Sequence, residues 1–495
     1  MRRGMVGALV WLAVLACTVP IDVDSNSSSS GGGGSSGGGG SSGGGGSSGG
    51  SGASSESGSS GGGTSVAGVS SSGRMGGSSG GVSGGGGSSG RGGSSQGSSS
   101  GSLPGGVDPS FGNGGQVLFT VGILDVLPKD DGTILVSTYD AYGTNGPPDA
   151  GALVQLTAAG ALDTSFGTGG VLNLQAMGSA AVSIVRMAQG PQGARLVGSV
   201  GTMENSAWRH HLITASVSAT GALMDVVVPT LGGGLTGAAA MATAVKPGGD
   251  WATIGWGQPV PGKYVAKGNA TGLDGAFGSG GVVLTPDGLT VDANVEVGNG
   301  RVVVLRSTGD SVNTGVTTFT LVAYNSTGAL DATFGTGGVV TLCDGPVESW
   351  LPLHMDAQGK VLVGVNCNGA GGAREARLIR VLSNGSPDTA FGSSGTVVLN
   401  QGSGEISLGA LDVDAQGRIY VAGLNVVPGT PVTPASRRLF VTRLLSTGAV
   451  DPGTTGSGTT FVEDSSAEDP PQIVRVDAQG NALLVFHGLL RRLVF

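Results

Sequence analysis

The sequence predicts an all-β protein, a seven-bladed β-propeller of four-stranded blades with one-plus-three strand closure, preceded by a disordered Gly/Ser tether. Three observations carry this prediction. A short phrase recurs seven times at a period near 60 residues, and each period holds four β-rich runs. The strand runs at the two ends of the repeat region also add up to one further blade.

The first segment reads as an export signal. Arg2 and Arg3 form a positive start, and Met5 to Ala16 is an apolar run too short to span a hydrocarbon core of about 30 Å as a stable helix. It ends in Val14-Leu15-Ala16-Cys17, which resembles the lipobox of bacterial lipoproteins. That resemblance implies cleavage before Cys17 and acylation of its thiol and new amine. Two or three acyl chains, at about 0.8 kcal/mol per buried methylene, would anchor the chain in a membrane. Thr18 follows in place of the Asp that retains some lipoproteins at the inner membrane, which points to the outer membrane or cell surface.

Glycine accounts for 101 of 495 residues, and most of the excess lies before residue 106. Residues 25 to 106 are almost wholly Gly and Ser, with no apolar surface to offset the entropy of ordering. A flexible coil of that length spans roughly 50 Å. The expected organisation is therefore a signal over 1–16, lipidated Cys17 and linker over 17–106, and the propeller over 107–495.

Within the propeller the first phrase reads Val107-Asp108-Pro109-Ser110-Phe111-Gly112. It returns at Leu162–Gly167, Leu273–Gly278, Leu330–Gly335 and Pro387–Gly392, with weaker copies at Asp225 and Asp451 that lack Phe-Gly. Successive Asp residues are 55, 62, 49, 57, 57 and 63 apart. The carboxylate suits an Asx-type turn, the Phe suits burial beside a strand, and the following glycines suit a tight reversal. A second phrase, Asp356-Ala357-Gln358-Gly359-Lys360-Val361-Leu362-Val363, has close copies at Asp414–Val421 and Asp477–Leu484. It reads as a hairpin between strands. The fifth period illustrates the four runs: Trp350–Asp356, Lys360–Val365, Ala376–Leu382 and Thr396–Asn400. Closure is expected between Gly115–Thr120 and the C-terminal runs Gln472–Asp477, Asn481–Phe486 and Leu489–Phe495, which leaves no open edge. The departure at Met224-Asp225-Val226-Val227 puts the geometry of that blade in question.

Together these phrases resemble the delta-sixty repeat of exported bacterial proteins, over roughly residues 107 to 495. The resemblance implies a propeller-like fold and brings no catalytic residues.

Composition and motifs bear on chemistry. Four of the 24 basic and three of the 33 acidic side chains precede residue 107, so the repeat region is mildly acidic. It has no electrostatic footprint for nucleic acid. No nucleophile elbow, phosphate loop or dinucleotide fingerprint is present. The four histidines, His210, His211, His354 and His487, show no metal-ligand spacing. His354 falls on an expected inner strand, where it could line the channel. Lys129-Asp130-Asp131-Gly132 lacks the full ligand set of a calcium loop. The reading is no enzyme, no cofactor and no metal.

Cys343 and Cys367 fall at strand ends on one face of adjacent blades, where an oxidising envelope permits a disulfide; two separate thiols are the alternative. The connections between second and third strands vary in length, whereas the opposite turns are uniform. Variable loops on a rigid scaffold are where recognition resides. Trp208, Trp256 and Trp350 map to that variable side, with Arg209 and Tyr142 near it. These are the candidate binding residues for a protein or glycan partner, and each Trp could equally cap a blade. The expected function is a monomeric, non-enzymatic interaction scaffold at the cell envelope. A propeller-type envelope hydrolase or lyase with a channel-lining site and a purely structural surface protein are the alternatives.

Overall fold

The structure, a computed structural model, describes residues 106–140, 150–174, 181–204, 207–258, 262–285, 290–309, 316–346, 351–369, 373–400, 404–429, 435–454, 458–463, 469–486 and 488–495. The export signal, Cys17 and the Gly/Ser tether lie outside the described residues.

Among the described residues there are seven antiparallel sheets, and in six of them the chain runs in order from the innermost strand outward or back. The innermost strands are Gly122–Pro128, Ala181–Gly190, Gly237–Val245, Thr290–Gly298, Leu353–Met355, Glu405–Val413 and Ile473–Val476. Each contacts the next in turn, and the last contacts the first, so the seven sheets close into a ring. This is the seven-bladed propeller that the repeat predicts, and the blades are numbered here in that order.

The seventh blade is assembled from both ends of the repeat region. Ile473–Val476, Ala482–Phe486 and Leu489–Val494 supply three strands, and Gly106–Val107 with Gln116–Leu118 pair along the outer edge. Val117 lies opposite Leu490 in that ladder. The one-plus-three closure pairs what would otherwise be two exposed edges. The second blade also forms: Leu223–Val227 is its outer strand, with the register shift between Met224 and Val227 and Asp225 at φ 50°.

The core is a set of apolar layers between neighbouring blades, each built from both partners. One layer combines Val303, Leu305 and Phe319 of the fourth blade with Leu353, Val363 and Val365 of the fifth. Fully buried Phe111, Phe166, Phe277, Phe334 and Phe391 from the recurring phrase each insert into a different one of these layers. The Asp of the phrase has two roles. One carboxylate oxygen accepts from the backbone N–H two residues on, as from Ser110, Thr333 and Ala390. The other accepts from a cation on its own blade, as in Asp108–Arg492 at 2.6 Å, Asp388–Arg380 at 2.9 Å and Asp451–Arg443 at 2.8 Å. Ring and cation also stack, with the Arg380 guanidinium 4.4 Å from the Phe391 ring centre. The glycine after the Phe stitches blades together. Gly112 N donates to Ala159 O at 2.7 Å and Gly392 N to Thr447 O at 2.9 Å, both on the next blade. At Gly392, φ is 53° and a Cβ would stand 2.2 Å from Thr396 O, so the position is closed to any side chain.

Candidate functional site

Two regions concentrate polar chemistry: the ends of the second and third strands, and the innermost strands around the propeller axis.

At the first region Trp256 is 36% exposed, with Lys263 Nζ 5.0 Å from its ring centre. Both sit where the paired strands Trp251–Gln258 and Gly262–Asn269 reach the variable face. Arg209 lies on the neighbouring blade and donates to Gln258 Oε1 at 2.9 Å and Thr236 Oγ1 at 3.2 Å. Its Nε also pairs with Glu204 at 3.5 Å, and Glu204 holds His211 Nε2 at 2.9 Å. Arg209 is thus a strut between two blades. Trp208 pairs through its backbone with Met203. Trp350, Tyr142 and His487 lie outside the described residues. Cys343 and Cys367, on adjacent blades, are joined by a disulfide with Cα atoms 5.8 Å apart. Burial lowers the His210 pKa.

The second region is a charge cluster on the innermost strands. Asp125, fully buried on the first blade, accepts from Met187 N on the second blade at 2.7 Å. It also pairs with Arg475 of the seventh blade at 2.7 Å and Arg186 of the second at 3.4 Å. Arg475 Nε donates to Val126 O at 3.2 Å, and Arg186 Nε to Thr243 O on the third blade at 3.1 Å. Asp412 of the sixth blade accepts from Val476 N at 2.9 Å. Lys246 Nζ pairs with Glu296 at 2.6 Å and donates to Met355 O at 3.3 Å, tying the third, fourth and fifth blades. His354 is half-buried on the fifth blade. Burial lowers its pKa and the Glu296 charge opposes that shift.

Two carboxyls here are displaced upward. Burial pushes Asp125 to about 6 against the pull of the Arg186 charge. Burial likewise pushes Asp412 to about 6, and its backbone hydrogen bonds only partly offset this. Among the described residues no group of three or more His, Cys, Asp or Glu side chains is placed to hold a metal.

Of the cluster, sequence reasoning singled out His354 alone. Asp125, Arg186, Glu296, Asp412 and Arg475 belong to no recurring phrase, and Lys246 opens only a loose copy of the second. The packing of neighbouring inner strands brings them together, with ring closure joining Arg475 to Asp125. The available signal was weak: charged residues within otherwise apolar inner-strand runs. The cluster also qualifies the expectation of a uniform opposite face, since Lys246 sits at the hairpin end of its strand, on that side.

A protein-family profile, described as "Domain of unknown function (DUF5122) beta-propeller", matches residues 129–166 and 358–391. Each match runs from the first hairpin of a blade, through its second and third strands, to the Phe of the recurring turn. Comparison with curated proteins finds no match. Among solved structures the chain is similar to an acylaminoacyl peptidase of Pyrococcus horikoshii, at 9% identity and TM-score 0.36, covering 63% of this chain and 46% of the peptidase. The chain therefore spans less than half of that enzyme. It is also similar to Drosophila Plexin A in complex with Semaphorin 1b, at 10% identity and TM-score 0.32, covering 76% and 85%. A third match is a GH43 endo-arabinanase from Bacillus licheniformis, at 13% identity and TM-score 0.27, covering 51% and 91%. Glycoside hydrolases and a peptidase among these matches correct the expectation that the chain is no enzyme, which rested on missing motifs. Similarity this low transfers no substrate, residue role or mechanism to the chain.

Proposed function

We propose that this chain is a binding module of the cell envelope, of the delta-sixty type, in which lipidated Cys17 anchors a propeller through the residue 17–106 linker. The partner is a protein or glycan, met by the variable face. The observation that carries this reading is Trp256, a large aromatic held 36% exposed on paired strands, with a cation at its ring. An indole that is rigid, amphipathic and already partly desolvated can anchor a partner at low entropic cost.

Two experiments test it. Replacing Cys17→Ser should release the chain from membranes while the propeller still folds; membrane retention after a salt wash would refute the anchor. A glycan array and an envelope crosslinking screen with the full chain should give a specific ligand whose binding falls at least tenfold in Trp256→Ala. Ligands unaffected by Trp256→Ala, Trp208→Ala and Trp350→Ala would refute the face.

A second reading, a hydrolase or lyase with an axial site, is favoured by Asp412. Its carboxyl lies near 6, in the range useful for a general acid, on an innermost strand. Turnover of a glycan or peptide panel that disappears in Asp412→Asn would support it. No turnover by the parent chain across that panel would remove it.

A further inference from the structure

The junction between the first and second blades differs from its neighbours, and the difference leaves a cavity. At four other junctions the chain's own guanidinium reaches a turn carbonyl of the next blade. Arg492 donates to Ala158 O, Arg301 to Ser383 O and Arg380 to Ser446 O, each at 2.5 Å, and Arg195 donates to Ala270 O. Three of these cations also stand over the phrase's aromatic ring: Arg492 at Phe111, Arg301 at Phe334 and Arg380 at Phe391.

In the first blade the third-strand position of Arg380 and Arg492 is held by Gln155, as the ladders and the backbone bonds from Asp163, Asp388 and Asp108 show. Gln155 donates to Asp163 Oδ2 at 2.7 Å and accepts from Lys129 Nζ at 2.6 Å. The turn aspartate is therefore satisfied, but the rest of the guanidinium's place is vacant. Among the described residues no cation stands over Phe166, and no side chain donates to Ala219 O. Ala219 O is the turn carbonyl that corresponds to those of Ala158, Ser383 and Ser446. A cavity of about 360 Å³ lies there, with Lys129, Asp131, Phe166, Gln189 and Ala219 in its wall.

A separate observation indicates what the cavity lacks. The side-chain oxygen of Gln189 is buried without a hydrogen-bond partner. A buried acceptor left in that condition is costly and calls for a donor.

We infer that this cavity is a binding site for a guanidinium group. A planar cation with five N–H donors matches an arrangement of Ala219 O, Gln189 Oε1 and the nearby carboxylates above an aromatic face. Asp131 lines the cavity and Asp163 lies close enough to interact with both Asp131 and Lys129, so two carboxylates stand against one ammonium and the surroundings favour a positive ligand. The group would come from an arginine side chain of a partner protein or from a small guanidinium compound. This deepens the reading of the chain as a binding module and adds a second surface, on the hairpin side of the ring.

The test is titration of the full chain with N-acetylarginine methylamide, agmatine and a capped Ala-Arg-Ala peptide, followed by calorimetry. The lysine counterpart of the first probe is the control. We expect saturable millimolar binding of the arginine probes, at least fivefold weaker binding of the lysine probe, and a tenfold or greater loss in Gln155→Arg. That variant supplies internally the cation found at four other junctions, and it should melt no lower than the parent. Gln189→Met keeps the shape, removes the acceptor and should weaken binding about fivefold. A peptide that binds more tightly than agmatine identifies a protein arginine as the source, and equal binding identifies a small compound. The inference is overturned if the parent binds no arginine probe, if the lysine probe binds equally, or if both variants bind like the parent. A partner captured through Trp256 without arginine binding would sink this site and leave the proposed function standing. Arginine binding with an unaffected loop face would do the reverse.

Discussion

Arg492 donates from Nε to Asp108 Oδ2 at 2.8 Å, across 384 residues of sequence. In the fifth and sixth blades the equivalent pairs, Arg380–Asp388 and Arg443–Asp451, join residues only eight apart. The same local contact has become the latch of the whole ring, because in the seventh blade the third strand comes from one end of the repeat region and the turn from the other.

Breaking that latch should therefore cost cooperativity as well as free energy. Arg492→Met keeps much of the stem over Phe111 but leaves Asp108 without its cation. For a half-buried pair, about 2 kcal/mol of lost stability is expected. Deleting residues 107–120 should do more, exposing the edge of Leu489–Val494 and broadening the unfolding transition. Deleting residues 25–100 should leave the transition where it is. Calorimetric unfolding of the three variants checks this, and equal tolerance of all three would contradict ring closure as a source of stability.

What the sequence made legible follows from periodicity. Turn glycines, the Asx aspartate and the buried Phe return together in five of the seven periods because backbone geometry demands them, so blade count and closure could be read directly. The cations that complete those turns could not. Arg380 and Arg492 lie on third strands, Arg301 begins a second strand, and Lys129 works through Gln155. One physical requirement is met by residues of different type and from different strands, so the eight-residue spacing of Arg380–Asp388 and Arg443–Asp451 does not extend to Arg301–Asp331 or to the split seventh blade. The axial cluster was hidden for a related reason. Asp125 and Arg475 are 350 residues apart and meet only because the first and last inner strands are neighbours.

The disulfide should carry measurable stability. Cys343 and Cys367 are 24 residues apart and link the fourth blade to the fifth. In the chain-entropy account, a closed loop of that size stabilises by about 3 kcal/mol. Reduction under non-denaturing conditions, or the double replacement Cys343→Ser with Cys367→Ser, should lower the melting temperature by several degrees. No change on reduction would show that the blade junction is held by its apolar layer alone.

A stabilising substitution is expected at Ser394. Its φ is 53°, and the corresponding residues of other blades are Gly114, Gly169, Gly280 and Gly337, all at positive φ. A Cβ built on Gly114, Gly169 or Gly337 meets nothing, so the cost at Ser394 is backbone strain and not crowding. Ser394→Gly should relieve about 1 kcal/mol of left-handed strain, reduced by the extra entropy glycine gives the unfolded chain. The reciprocal Gly392→Ala should destabilise strongly, since it adds a clash with Thr396 O. Equilibrium denaturation distinguishes these, and a destabilised Ser394→Gly would contradict the strain argument.

The last prediction concerns pH and the axial carboxyl of Asp412. Its folded pKa lies near 6, above the unfolded value of 3.8, so the folded state binds the proton more tightly. The stability linked to this group is then fully present below the unfolded pKa and is lost as pH rises through 6. Between pH 7.5 and 5 the gain on acidification is about 1 kcal/mol. His354 and His210 work in the opposite sense, because burial lowers their folded pKa values and acid favours their unfolded forms. The parent's overall slope is therefore mixed, and the informative quantity is a difference between variants. Asp412→Asn is neutral at every pH and can still accept from Val476 N. It should be more stable than the parent at pH 7.5, and that advantage should shrink by about 1 kcal/mol at pH 5. The turn aspartates do not confuse the comparison. Asp108, Asp331 and Asp388 have lowered pKa values, so their stability is lost only as pH falls through values below 3.8. Denaturant midpoints for the two proteins at both pH values check this. Parallel behaviour would show that Asp412 is ionised in the folded ring at pH 5, which would also remove the basis for an axial general acid.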